Sequence, residues 1–360
     1  MTRFSLVLLA VVSLLFTRST NAQDVTEFAQ KNMNLKAEVV LEGLYNPCGI
    51  AIRPGASGED AEIYISDSGH LKIIKVTAAA PGEPQDVITD FPKDVYGKGP
   101  MYDIGPLGLA FINPSTLVVG GGGHVDGEEI LRVYKLPEDD SAIKADQMDH
   151  HVGPLAKGDI SSTGEGNFYA LAKSDDAIYI SSNGDDTKGW VLKAPLEANK
   201  VTELTGFIAT KEATNVDAPV GITMNPKGYI VVGQMGEINL PNDSLLTFYA
   251  ADDGEMKLNL ETGLFDIAAL AYSPTERLFA VDFAWMDASE GGLFRLERVE
   301  NEDGTQGVTA NKLVSLDKPA AMAFAPDGTL YVTIFGTPEE GSDDPASGKL
   351  IRITADPDKL

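Results

Sequence analysis

The sequence predicts an all-β protein, a six-bladed β-propeller with four antiparallel strands per blade and an N-terminal strand that closes the last blade. Three observations carry this. A four-residue pattern recurs six times, its first residue at 49, 108, 170, 221, 269 and 321, so that successive steps are 59, 62, 51, 48 and 52 residues. A period in this range marks a repeat architecture. Each copy is followed by further short apolar runs separated by turn residues, and the two ends of the chain hold complementary pieces of one more sheet.

The copies are Gly49-Ile50-Ala51-Ile52, Gly108-Leu109-Ala110-Phe111, Ala170-Leu171-Ala172-Lys173, Gly221-Ile222-Thr223-Met224, Ala269-Leu270-Ala271-Tyr272 and Ala321-Met322-Ala323-Phe324. Positions one and three are small and position two is a large aliphatic. That alternation suits a first strand against the central axis, where one face has little room and the other fills the gap to a neighbouring blade at native packing density. A helical solenoid would need apolar spacings of three and four, which are absent.

The second run is clearest in Ile63-Tyr64-Ile65, Ile178-Tyr179-Ile180 and Leu330-Tyr331-Val332, after turns such as Asn225-Pro226-Lys227-Gly228. A third run follows, as in Ile130-Leu131-Arg132-Val133-Tyr134. A fourth is best seen in Val87-Ile88-Thr89 and Val201-Thr202-Glu203-Leu204. Four strands per repeat make a blade. Blade six stops after its third strand near Ile353, whereas Ala37-Glu38-Val39-Val40-Leu41-Glu42 precedes the first copy as an orphan strand. Pairing the two would close the ring and leave no long free edge.

Residues 1–22 read as a secretory signal peptide, with Arg3, an apolar core over residues 4–16 and a small-residue site at Thr20-Asn21-Ala22. The organisation expected is signal peptide 1–22, extension 23–36, propeller 37–355 and tail 356–360, in a secreted or periplasmic monomer. The apolar run falls short of the roughly 20 residues of a membrane span. The single cysteine, Cys48, leaves no intrachain disulfide, so the fold rests on its core. It precedes the first motif on a predicted inner strand, as a packed and inert thiol would. The formal charge is −26, and losing Arg3 and Arg18 with the signal peptide makes it −28. That excludes nucleic acid and anionic membrane as partners and leaves a protein, a glycan or a small molecule.

Loops from strand two to strand three, and from strand four to the next blade, share one face of a propeller. Here they are the long ones, over residues 97–105, 120–129, 158–166, 236–243, 283–292 and 337–348, which marks the binding face. Where strand two exits toward it stand Asp67, Gly121, Ser182, Gln234, Asp282 and Ile334, with Asp103, His124, Asp126, Asn183 and Trp285 nearby. The candidate binding residues are therefore Asp67, Asp103, His124, Asp126, Asn183, Gln234, Asp282 and Trp285. Oxygen ligands on such a ring, Asp67, Asp103 and Asp282 first, could hold Ca2+; alternatively these side chains bond to turn backbone.

The run Gly120-Gly121-Gly122-Gly123 lacks the Lys-Ser/Thr and the helix of a phosphate loop. It is expected to supply unusual backbone angles where the loop passes close to its neighbours. His70 and His124 are candidate general bases or ordinary surface histidines. His150 and His151 belong on the outermost strand of blade two, away from the channel. Trp285 could stack on a sugar or a hydrophobic partner, or fill core under a loop. No nucleophile elbow, zinc motif or paired cysteine motif occurs.

With Asn46-Pro47-Cys48-Gly49-Ile50-Ala51, Ile63-Tyr64-Ile65-Ser66-Asp67 and Phe324-Ala325-Pro326-Asp327-Gly328-Thr329-Leu330-Tyr331-Val332, the chain over residues 39–354 resembles the six-bladed NHL-type propellers. That superfamily includes the SMP-30/gluconolactonase and strictosidine-synthase-like proteins, and the secreted ScyD/ScyE group is similar too. Fold does not fix activity. The gluconolactonase branch holds a divalent metal with Glu, Asn and Asp just before the small first residue of the inner strand. Here the corresponding positions are Cys48, Leu107, Tyr169, Val220, Ala268 and Ala320, so the resemblance implies that this metal site is missing. The His and Arg signature of the quinoprotein sugar dehydrogenases matches no segment, and their cofactor is unsupported.

Two functions remain. One is a secreted propeller that binds a protein, glycan or small ligand on its loop-rich face without catalysis. The other is a hydrolase or lactonase with a cation at the channel mouth, held by some of Asp67, Asp103, Asp126, Gln234 and Asp282.

Overall fold

A computed structural model describes residues 23–97, 99–125, 127–155, 166–182, 189–339, 341, 345–356 and 359–360. Six sheets stand in a ring. Their innermost strands are Pro47–Ile52, Pro106–Asn113, Phe168–Lys173, Pro219–Met224, Ile267–Tyr272 and Pro319–Phe324. Each packs against the inner strands of both neighbouring blades, the sixth meeting the first. Closure is as expected: Lys36–Leu44 pairs antiparallel with Gly348–Thr354, with Ala37 opposite Ile353 and Leu41 opposite Leu350. The ring is zipped by joining the start of the chain to its end.

The small and large motif positions do what crowding demands. Position two of one blade shares a core cluster with a small residue of the blade before it: Leu109 with Ala51, Ile222 with Ala172, Met322 with Ala269, and Ile50 of blade one with Ala321 of blade six. At position one of blade one the room is nil. A Cβ on Gly49 would lie 2.0 Å from the Leu107 carbonyl oxygen of blade two. Ser66 ties the same carbonyl by donating its hydroxyl at 2.6 Å, and Ser181 ties Val220 likewise.

One strand departs from the expectation. The fourth strand of blade three is Thr205–Ala209, paired along Trp190–Lys193, rather than the run beginning at Val201. Ala198 and Asn199, both at positive φ, form a two-residue hairpin that folds Lys200–Val201 back on Leu196–Glu197. The chain must then cross before it rejoins the sheet. His150–Val152 is the outermost strand of blade two, as expected. The segment Ile143–Lys144 adds a fifth, parallel strand to blade one.

The extension carries a helix, Glu27–Met33, capped by the Thr26 hydroxyl, which accepts from the Ala29 amide. Ala29 and Met33 drop into the core shared by blades five and six. Among the described residues no helix is long and apolar enough to cross a membrane.

Candidate functional site: the loop-rich face

All six inner strands break register with strand two at the same place, between Pro47 and Gly49, Pro106 and Leu109, Phe168 and Ala170, Pro219 and Gly221, Ile267 and Ala269, and Pro319 and Ala321. A bulge re-aims a side chain, and Cys48, Tyr169, Ala268 and Ala320 from this level line a central cavity of about 320 Å3. These bulged positions are the ones at which the resemblance to the gluconolactonase branch implies metal ligands. Cys48, Leu107, Tyr169, Val220, Ala268 and Ala320 offer no carboxylate, and the Cys48 thiol is buried, donates to the Asn46 carbonyl, and is pushed up to about 12 by that burial. A hard cation does not fit this donor set.

The exit residues of strand two are Asp67, Gly121, Ser182, Gln234, Asp282 and Ile334, as the sequence places them, and all six are buried. Most of their polar groups are taken by nearby backbone and side chains, although Gln234 Oε1 is buried without a hydrogen-bond partner. Asp67 accepts from the Tyr45 amide at 2.7 Å and holds His70 Nδ1 at 2.8 Å. Asp282 accepts from the amides of Phe265, Asp266 and Ala284. Gln234 donates to the Val216 carbonyl and to the Thr214 hydroxyl, and Ser182 to the Gly166 carbonyl. Burial, the largest influence, raises the pKa of both Asp67 and Asp282. Asp103 is taken by the Tyr45 hydroxyl at 3.0 Å and by Lys93 at 2.7 Å. Asp67 and Asp103 are thus joined through Tyr45, whereas Asp282 stands in blade five. Among the described residues no group of three His, Cys, Asp or Glu is placed to hold a metal ion. Asp126 and Asn183 lie outside the described residues.

The glycine run earns its glycines by proximity alone, since none of the four is at positive φ. A Cβ would lie 2.1 Å from the Phe168 carbonyl oxygen at Gly120 and 2.3 Å from that of Pro92 at Gly123. At Gly121 it would meet the side chains of Glu129 and Arg132. The expected unusual backbone angles are absent because close approach is itself sufficient reason. Glu129 is fully buried, accepts from the His124 amide, and is pushed up to about 7 by burial first. Arg132 faces His124 Nε2 at 2.7 Å, and burial together with that cation lowers the histidine's pKa.

Trp285 fills core. It is 7 % exposed, and its ring belongs to an aromatic plug over the mouth. Tyr102 stands edge-on to Phe283, Trp285 and Phe335 at 6.1, 5.2 and 5.1 Å, and Tyr96 meets Trp285 at 6.1 Å. Both tyrosines come from a hairpin, Asp94–Tyr96 with Tyr102–Ile104, that leaves blade one and folds over the axis. Ile238 packs against the same cluster. Tyr96, Tyr102, Phe283, Phe335 and Ile238 were not singled out by the sequence, although aromatics clustered in long loops were the available signal.

The plug has an outer layer. Val95, Met101, Leu240 and Met286 are exposed by 43, 59, 54 and 63 %, and each lies one or two residues from a plug member. Val125, exposed by 65 %, lies on the glycine loop of the same face. The same loops also carry exposed Glu128, Glu237, Asp287 and Glu290. Fold and site together define a six-bladed propeller whose loop-rich face carries, among the described residues, a buried aromatic cluster with exposed apolar side chains on the loops that hold it.

No family model matches the chain, and no curated protein matches it. Among solved structures it is similar to a gluconolactonase of Xanthomonas campestris, at 12 % identity with a TM-score of 0.58 over 94 % of this chain and 95 % of that one. It is also similar to the PQQ-bound aldose sugar dehydrogenase of Streptomyces coelicolor, at 13 % identity with a TM-score of 0.56 over 89 % and 98 %. At these identities the likeness establishes the fold. The six-bladed propeller implied by the resemblance to gluconolactonase-like proteins is the fold this chain has.

Proposed function

We propose that the protein is an exported binding propeller that docks a protein partner on its loop-rich face, through an apolar anchor ringed by basic groups. The observation that carries this is the exposed layer of Val95, Met101, Leu240 and Met286 on top of a buried aromatic plug. Grouped exposed apolar side chains mark interaction sites, and methionines adapt to varied partners. An acidic rim on a chain of charge −26 favours a basic partner and repels acidic ones. Benzoylphenylalanine at position 286 is expected to crosslink one secreted partner of the source cells. The double variant Met101→Asp/Leu240→Asp should suppress the crosslink with the melting temperature unchanged. A crosslink unaffected by that variant, or equally strong from position 227 on the opposite face, would refute the reading.

One observation favours a hydrolytic reading. Asp67 holds Nδ1 of His70, whose ring is part-exposed and edge-on to Tyr45 at 5.6 Å, the kind of carboxylate pairing that orients a general base. The gluconolactonase neighbour suggests lactones as the substrates to try. Hydrolysis lost in His70→Ala at unchanged folding would establish this reading; hydrolysis unmoved by that substitution would remove it.

A further inference from the structure

From Asp24 onward the chain is woven into the ring. The Asp24 carbonyl accepts from the Ser315 amide at 3.0 Å, Val25 bridges Val314 antiparallel, and the Thr26 amide donates to the Leu313 carbonyl at 3.0 Å. The Thr26 hydroxyl donates to the Lys312 carbonyl at 3.0 Å. Residues 24–26 thus form a short rung on Gln306–Ser315, the outermost strand of blade five. They lead directly into the helix Glu27–Met33, which drops Ala29 and Met33 into the core. Gln23 is where this engagement begins. It is half-buried, its amide reaches the Ala37 carbonyl only at 3.4 Å, and its side chain makes no hydrogen bond among the described residues.

The small-residue site Thr20-Asn21-Ala22 ends one residue earlier. A cut after Ala22 would free the amine of Gln23 and leave the rung, the helix and the closing strand Lys36–Leu44 intact. A cut after Asp24 or beyond would sever the rung.

We infer that the mature amino terminus is a modification site, at which Gln23 closes on itself to a neutral pyroglutamyl lactam; this rests on the reading of the protein as exported. The α-amine nitrogen attacks the carbon of the residue's own side-chain amide. A C–N bond to the amine forms as the C–N bond to the amide nitrogen breaks, and that nitrogen leaves as ammonia, taking a proton from the amine. No oxidant or second reactant enters, and the two groups are held within one residue, which makes the attack intramolecular. Gln23 lies outside helix and strand with its side chain free, so closing the ring breaks no contact of that side chain. The product suits its surroundings better than the amine does. The lactam keeps one N–H for the Ala37 carbonyl and loses the positive charge. An ammonium would instead stand three residues ahead of Thr26, the N-cap of a helix whose unpaired amides disfavour a cation. With no free amine at its end, the segment that joins blade five offers aminopeptidases no starting point.

The test uses the full chain with residues 1–22 in place, made by a secreting host and recovered from outside the cytoplasm, and reads the intact mass and the terminal peptide by mass spectrometry. The chain is expected to start at Gln23, to be lighter by one ammonia in most molecules, and to lose its first residue to pyroglutamyl aminopeptidase once unfolded. Gln23→Ser should be cut at the same place, melt as the parent does, keep its full mass and resist that enzyme. A parent chain that starts at Gln23 with its amine free would overturn the assignment while leaving export intact. A start at another residue, or the same loss of ammonia in Gln23→Ser, would overturn it as well, and a chain that keeps residues 1–22 would overturn the export reading with it.

Discussion

Replacing Gly49 with alanine is expected to destabilise the propeller by about 3 kcal/mol, the upper end of the usual range for overpacking. The added methyl would sit 2.0 Å from the Leu107 carbonyl oxygen of the next blade. That neighbour is backbone, so no rotamer change relieves the clash. Leu107 is held besides by the Ser66 hydroxyl and by the bulge at the start of its strand. Relief requires the two inner strands to separate, and every inner strand is wedged between two others. Gly82→Ala is the control, because its Cβ would meet nothing closer than the Val40 carbonyl at 3.6 Å; a surface change of this kind should stay within about 0.5 kcal/mol. Urea unfolding of the two variants decides the matter. Equal midpoints would mean that the axis is not close-packed.

Asp266→Asn should stabilise the protein above neutral pH by roughly 4 kcal/mol and leave it little changed near pH 4. Burial first, then the neighbouring charges of Asp282 and Asp243, push the Asp266 carboxyl from 3.8 to about 7, against the Trp285 amide, which favours the ionised form. In the unfolded chain the group ionises near 3.8. Between about 4 and 7 the native state therefore binds more protons than the unfolded state, and this residue's contribution to stability falls as pH rises through that window. Above 7 the folded protein carries a buried anion whose Oδ1 has no hydrogen-bond partner. Asparagine keeps an acceptor for the Trp285 amide, now 2.6 Å from the carboxylate, and cannot ionise. The measurement is the difference in unfolding free energy between parent and variant from pH 4 to pH 8. A flat difference would show that Asp266 is ionised throughout. Because Asp266 anchors the loop bearing Trp285 and Met286, a positive result also locates the titration under the proposed docking face.

Much of the architecture is legible in the chain because a propeller repeats one local problem six times. Gly49, Gly108 and Gly221 are small for the same steric reason, and Leu109, Leu270 and Met322 are large for its complement. The closure by residues 36–44 is readable because an unfinished sheet at one end and a spare strand at the other have one economical solution. The turn at Ala198 and Asn199 was not readable, since neither residue announces positive φ as strongly as glycine does. The polar ring is a different case. Asp67, Gln234 and Asp282 lie at the predicted level, but their side chains serve the turns that enter the inner strands. Sequence weighed that alternative without deciding it, because a carboxylate beside a turn looks the same whether it accepts from an amide or from a ligand.

The amino-acid order alone determined the number of blades, the strand at the axis and the closing partner. These follow from periodicity and residue volume, which are properties of the chain before it folds. Only the tertiary structure decided that Tyr96 and Tyr102 cross over to meet Trp285 and Phe335. Those contacts join segments from different blades, hundreds of residues apart in the longest case, and distance along the chain carries no information about which loop tips or strand edges the ring brings together.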